Sequence, residues 1–387
     1  MAERSDGFQG HVAGALHGPL DGMDHPLLKR GVGLEPFHEP KGASMSGVVT
    51  IGLDLAKSIF QIHGVDDAGR MMLRRRLSRH ELVPYFAKLP PCLIGMEACS
   101  AAHHWARELS RFGHSIRLIP PQYAKPYVKR NKTDAADAEA ICEAVARPNM
   151  RYVPIKSLDQ QSVLSLHRVR SLFVRQRTAA INTVRGLLTE FGIIAGKGIG
   201  RISELRRRAD QADSEALPDE ARAAITEVFE HIEALTERID ATESKIVAWH
   251  KSSETSQRLA SAPGVGPITA SAIVASVGDA RQFRSARHFA AWLGLTPRLH
   301  ASGGKEHIGR ISKGGDRYLR ALLIHGARAI VGTSFRKDVP PRPWLKQLLA
   351  RRSVNVAAVA VAHKTARALW AMITRKEGYR RIAVKTA

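Results

Sequence analysis

Four carboxylates, Asp54, Glu97, Asp134 and Asp137, stand in a chain of 387 residues that carries 59 Lys and Arg against 36 Asp and Glu. Their settings are VVTIGLDLAKS, CLIGMEACS and, for the last two, NKTDAADAEAI. Acids brought together repel a polyanion unless divalent cations sit between them. Hard, oxygen-preferring magnesium is the ion that plays this part in phosphoryl transfer. The pattern therefore points to metal-dependent phosphate chemistry.

Taken singly, each acid has a plainer reading. Asp54 lies in an otherwise apolar strand, where a carboxylate is costly to bury unless it meets a metal or a cation, and Lys57 could be that cation. Glu97 closes another strand, the position where α/β sheets commonly place ligands. Asp134 and Asp137 are three apart and share one face of a helix that begins near Thr133. There an acid is favoured by the helix dipole, and Thr133 or Asp134 could cap the helix. The neighbouring Lys129, Arg130 and Lys132 fit either reading.

The elements that must position these residues follow from periodicity. VVTIGLDL reads as a buried strand, SIFQIHGVD and RMMLRRRLS as its hairpin partners, and CLIGMEA and SIRLIP as further strands around a helix, AAHHWARELSRFG. Three meandering strands followed by strand–helix alternation predict a mixed sheet with helices on its faces over residues 47–154, the order of an RNase H-like (RuvC-like) α/β fold. Residues 155–255 are predicted helical. One stripe runs through Leu166, Val169, Leu172, Gln176, Ala180, Thr183 and Leu187. A second, at heptad spacing, runs through Ile225, Val228, Ile232, Leu235, Ile239, Thr242, Ile246 and Trp249. An intramolecular helical hairpin and a coiled coil that joins protomers both satisfy this pattern. Residues 256–387 form a third, mainly helical unit opening on PGVGP, which resembles a helix-hairpin-helix turn able to hold a phosphate on backbone N–H groups. Within it, residues 281–352 carry 16 Lys and Arg against three acids, a net of +13, the density of a nucleic-acid groove.

Composition narrows the partner. The formal charge of +23 favours a polyanion, with phosphate contacts as the source of affinity. No polybasic segment flanks a long apolar stretch, and the run VAAVAVA is too short to span a bilayer, so no membrane partner is expected. Three cysteines without a CxxC pair indicate neither a disulfide framework nor a zinc site and fit a reducing cytoplasm. Residues 1–46 are expected to be a disordered leader, since residues 1–44 hold 8 of the 31 glycines and show no apolar periodicity. A chain starting at Met45 is expected to keep full activity.

Taken in order, GLDLAKS, GMEACSAAHHWARELSRFGH and PPQYAKPYVKRNKTDAADAEAI resemble the DEDD transposases of bacterial insertion sequences of the insertion-sequence-110 type, which are bridge-RNA-guided recombinases. The stretch from LASAPGVGPITAS to ISKGGDRYLRALLIHGARA is similar to that family's C-terminal transposase domain. The resemblance runs from about Val48 to the C-terminus. It implies that Asp54, Glu97, Asp134 and Asp137 are a tetrad binding Mg2+. It also implies a nucleophilic serine at Ser302 in LHASGGKEH, with Ser312 in RISKGGD second. On chemistry alone Ser302 is a turn serine before two glycines. The partners implied are DNA, a guide RNA and further copies of the chain, as a dimer or tetramer, in a bacterial cytoplasm at the nucleoid. Arg175, Arg177, Arg206, Arg207 and Arg208 are candidate RNA contacts. Two other readings stay open: a nuclease of the Holliday-junction resolvase type that activates water with the same acids, and a non-catalytic nucleic-acid scaffold.

Overall fold

The computed structural model describes residues 47–129, 133–335 and 343–380. The expected leader therefore lies outside the described residues, as do Arg130 and Lys132.

Five strands, β1 (Thr50–Leu55), β2 (Ile59–Val65), β3 (Met71–Ser78), β4 (Leu93–Glu97) and β5 (Ser115–Ile119), form one mixed sheet in the order β3-β2-β1-β4-β5. β1 to β3 pair antiparallel, whereas β4 and β5 join β1 in parallel. A mixed sheet opening on a three-strand meander was expected from the sequence, and the arrangement is consistent with an RNase H-like domain. β1 is central, with its first four residues buried, which is why it reads as a continuous apolar run. β2 instead alternates buried and half-buried positions. β3 is an edge strand whose Arg74, Arg75 and Arg76 are exposed, the charged edge that discourages further strand pairing.

Helix α1 (Arg79–Ala87) follows β3 through a capping box between Ser78 and Glu81, and α2 (Ala102–Ser110) links β4 to β5. Phe60, Phe86, Trp105 and Leu109 from this region share a core with β1 and β4. Each fully buried side chain of this size contributes about 2 kcal/mol relative to exposure. After the short α3 (Pro121–Ala124), α4 (Asp134–Val145) packs against β1, β2 and β4.

Two long helices come next, α5 (Leu158–Glu190) and α7 (Asp219–Ser252), with α6 (Ile202–Gln211) between them. They lie against each other as an intramolecular hairpin. Of the α7 stripe read from the sequence, Ile225, Ile232, Leu235, Ile239, Thr242 and Ile246 are buried. On α5 the buried positions are Val163, His167, Ile181, Val184 and Leu188. Of the stripe expected there, Val169, Leu172 and Leu187 are exposed, whereas Ala180 packs against the core of the hairpin. Apolar residues occupy two neighbouring faces of α5, and periodicity alone does not say which of them meets α7.

The C-terminal unit packs α8 (Glu254–Ala260), α9 (Pro267–Val277), α10 (Ala286–Trp292), α11 (Arg317–Thr333), α12 (Pro343–Arg351) and α13 (Val354–Arg375) around one core. The PGVGP segment is a helix–turn–helix connection between α8 and α9. Gly264 has φ +74°, and a side chain there would run into the carbonyl oxygen of Gly326 on α11, so the turn is shaped by close packing. α13 is, by length and composition, apolar enough to cross a membrane, but its Ala358, Ala362, Leu369 and Met372 belong to this core. Between α10 and α11 stands a feature that the sequence reading did not anticipate: an antiparallel two-stranded hairpin of β6 (Pro297–Ser302) and β7 (Lys305–Ile311).

Candidate metal centre

Gly52 and Gly95 are partners across the parallel β1–β4 pair, and together they seat α4 on the sheet. A side chain at Gly52 would overlap the backbone of Ala138 and Cys142, and one at Gly95 would meet Val145 at 2.7 Å. With both positions bare, α4 lies close across the two strands. Its first turn is thereby brought towards Asp54, which stands two residues beyond Gly52 on β1. Glu97 stands two residues beyond Gly95 on β4. The matching Gly-x-acid spacing in GLDL and GMEA was the available signal for this seat.

The result is a cluster. Ligand oxygens of Asp54, Asp134 and Asp137 all lie within 4.8 Å of one another. Glu97 ends the adjacent strand outside that group of three, although its charge still acts on Asp54. The Asp54 carboxyl is pushed up from an ordinary 3.8 to about 6, first by burial, then by the negative charges of Asp137, Asp134 and Glu97. Among the described residues no cation offsets them. Lys57 is exposed and makes no ion pair with Asp54. Lys129 pairs with Glu139 at 2.5 Å.

Capping does not account for the aspartates either. The cap of α4 is Thr133, whose Oγ1 accepts a hydrogen bond from the Ala136 backbone N–H at 3.2 Å. Asp134 and Asp137 stand in the first turn of α4 with their carboxylates close to that of Asp54. Three hard oxygen donors that repel each other without a counter-cation make up a donor set that fits a divalent metal ion.

Ser302 has the opposite surroundings. It closes β6, every residue of which is exposed, and pairs with Lys305 across a two-residue turn. Gly303 and Gly304 have φ of +53° and +76°, the left-handed pair that such a turn requires. The hairpin is tied down at its base, where Arg298 donates from Nη2 to the Ser312 carbonyl at 2.9 Å and the Ser312 N–H donates to Thr296 at 2.8 Å. Among the described residues no contact holds Ser302 against the carboxylates. Ser312, the second candidate, is half-buried at that base, with its Oγ accepting a hydrogen bond from the Gly314 N–H at 3.4 Å.

Several arginines assigned to RNA in the sequence are engaged within the helical hairpin. Arg177 donates to Thr236, Arg206 pairs with Glu233, and Arg208 bonds both Glu204 and the Ile194 carbonyl. Arg175 reaches Ser171 one turn back, and Arg207 is exposed.

Comparison with known proteins decides the family. A family described as Transposase IS116/IS110/IS902 matches residues 256–340, and the DEDD transposase family of the IS110 type matches residues 51–193. The transposase for insertion sequence element IS1111A of Coxiella burnetii is 40% identical over 362 residues, covering 92% of this chain and 99% of its own. The transposase for IS1328 of Yersinia enterocolitica is 40% identical over 331 residues, covering 86% and 98%. A Pseudomonas aeruginosa protein named "Probable family 20 transposase" is 53% identical over 331 residues, covering 85% and 98%.

The chain belongs to the IS110 family of insertion-sequence transposases. Its acidic cluster falls within the DEDD match and its Ser302 hairpin within the C-terminal match. The transposase is accordingly a DNA-processing enzyme. Its three cysteines are free, Cys92 and Cys142 buried and Cys99 exposed.

Proposed function

We propose that this transposase excises and integrates its element by strand exchange through a phosphoserine, with Ser302 as nucleophile and Asp54, Glu97, Asp134 and Asp137 as the Mg2+-binding tetrad. The observation that carries the reading is the convergence of Asp54, Asp134 and Asp137 within 4.8 Å without a compensating cation. Bound there, magnesium would supply charge neutralisation and polarisation at the scissile phosphate.

Ser302 Oγ attacks phosphorus, the Oγ–P bond forms, and the bond from phosphorus to the leaving sugar oxygen breaks. The serine proton is released and the departing oxygen ends as a hydroxyl. A second strand's hydroxyl then displaces Ser302 in reverse, so rejoining consumes no ATP. Because β6 is exposed throughout, its serine is free to enter a cluster on another protomer. The outward stripe at Val169, Leu172 and Leu187 offers a surface on which a second copy pairs, as a dimer or as half of a tetramer. Target choice rests on base pairing with an element-encoded guide RNA, the protein gripping phosphates and RNA shape. The units are a sheet domain over 47–154, a helical arm over 155–255 and a serine-bearing domain over 256–387, working in the cytoplasm at the nucleoid.

The test compares strand cleavage by the parent protein and its variants with magnesium. Loss of cutting in Asp54→Asn and in Ser302→Ala is expected. Cutting that survives Ser302→Ala would instead identify a resolvase-type nuclease using water. Function unchanged in both Asp54→Asn and Glu97→Gln would leave a non-catalytic scaffold.

A further inference from the structure

A second polar corner lies where the three units meet. His103 stands in the first turn of α2, and Lys156 is on the connection leading into α5. The Lys156 backbone N–H donates to His103 Nδ1 at 3.3 Å, and His103 Nε2 lies 3.1 Å from Lys156 Nζ. Arg107 Nη1 donates to the Lys156 carbonyl at 2.6 Å. Arg168, exposed on α5, acts electrostatically on both His103 and Lys156. The acid whose charge reaches Lys156 is Asp316, and its Oδ1 already accepts the Tyr318 and Leu319 N–H groups that begin α11.

With Lys156 charged, the hydrogen-bond count at His103 does not close. A neutral imidazole has one N–H and one acceptor nitrogen, and an ammonium has donors only. If Nδ1 accepts from the Lys156 backbone, the ring proton sits on Nε2, and Nε2–H then points at an ammonium with nothing between them to accept. Burial, followed by the charges of Lys156, Arg107 and Arg168, holds His103 down at about 4, so the ring is neutral at physiological pH. The Lys156 ammonium is also disfavoured by burial and by Arg168. A water could take the two hydrogen bonds but would leave the excess positive charge in place. An anion with several oxygens satisfies both needs.

We propose that His103, Lys156 and Arg168 form a binding corner for a phosphodiester of the nucleic-acid backbone, gripped where the sheet domain, the arm and the start of α11 converge. Nε2–H and Nζ–H donate to the phosphate oxygens, and the Arg168 guanidinium supplies the outer charge. α2 leaves the sheet just beyond Glu97, so a strand held here is steered along the carboxyl ends of the parallel strands towards the acidic cluster. The proposal rests on the reading that this chain grips nucleic acid. It needs neither Ser302 nor the metal.

Binding of a labelled DNA duplex and, separately, of a labelled single-stranded RNA to the full chain should be followed across a range of salt concentrations without divalent metal. Each phosphate contact contributes about 0.9 to the slope of log K against log salt for duplex DNA, and about 0.7 for a single strand. Lys156→Met should lower the slope by about one such contact with DNA, with RNA or with both, and the responding arm names the source of the phosphate. Lys156→Arg should restore it. If Lys156→Met does not fold, as judged by its melting curve, Arg168→Gln takes its place under the same criterion. Slopes equal to the parent's in both arms would overturn the proposal. A lowered slope in a protein that makes no serine-linked DNA would uphold this corner while refuting the phosphoserine reading.

Discussion

Asp54 sits on a strand whose first four residues are buried and beneath a helix seated on two bare glycines, whereas Ser302 ends a strand with every residue exposed. The carboxylates are held in place by packing. The serine is held by two strands, a glycine turn and an anchor at the hairpin's base. Pre-organised charge must be fixed before the substrate arrives, because its worth lies in avoiding reorganisation during reaction. A nucleophile that must reach a cluster elsewhere needs the reverse, a projecting mount. Under the proposed function the difference gives the two halves their parts: the sheet domain would be the rigid receiver, and the hairpin the part that travels.

The strongest way to break this division is to remove one half at a time. Asp54→Asn and Ser302→Ala should each lower the rate of strand exchange at least about a thousandfold, the order seen when a nucleophile or its electrostatic support is lost. Their double variant should be little worse than either alone, as expected of groups acting as one unit. Glu97→Gln should weaken metal binding less than Asp54→Asn, since Glu97 stands outside the 4.8 Å group, as checked by titration calorimetry with Mg2+.

Gly52→Val tests the rigid receiver directly. The added side chain overlaps the α4 backbone at Ala138 and Cys142, and overpacking of this kind costs about 1–3 kcal/mol or more. Chemical denaturation should show that loss, together with weaker metal binding because Asp134 and Asp137 move with α4. At the other half, Leu299→Ala and Ile308→Ala remove a cross-strand pair that is 60% and 70% exposed. Stability should change by no more than about 0.5 kcal/mol, while strand exchange falls if the ribbon docks on another protomer.

Acidity gives a smaller, sharper contrast. The Asp54 carboxyl titrates at about 6 in the folded protein against an ordinary 3.8. Between these values the folded state holds more protons than the unfolded, so this group makes the metal-free protein less stable as pH rises from about 4 to about 6, with no further loss above. Asp54→Asn should flatten that part of a melting-temperature profile, and so should saturating Mg2+, which binds the ionised form. No comparable change is expected from Ser302→Ala.

Much of the rigid half was legible in the chain. β1, β2, β3, β4 and β5 announced themselves by continuous or alternating apolar residues, and the mixed character of the sheet followed from where the helices interrupt them. Asp134 and Asp137 could not be separated from capping residues, because only the backbone geometry shows that Thr133 caps α4. The role of Gly52 and Gly95 was hidden for a related reason, since glycine in a strand has no periodicity and acquires meaning only from what packs on it. The exposed half was largely illegible. β6 and β7 bury almost nothing, so their side chains carry no core pattern, and the glycine pair after Ser302 signalled a turn without showing what flanks it. On α5 the sequence pointed to the stripe through Val169, Leu172 and Leu187, whereas tertiary packing buries the face through Val163 and Ile181.

The central claim is that the carboxylates clustered around Asp54 and the exposed serine form one active site. Its most direct measurement is a search for protein-linked DNA after incubation of the transposase with its element ends and Mg2+, followed by peptide mapping of the linkage. The account predicts a phosphodiester on Ser302 that is absent without metal, in Asp54→Asn and in Ser302→Ala. Cleaved DNA with free ends from Ser302→Ala, and no linked peptide from the parent protein, would contradict it.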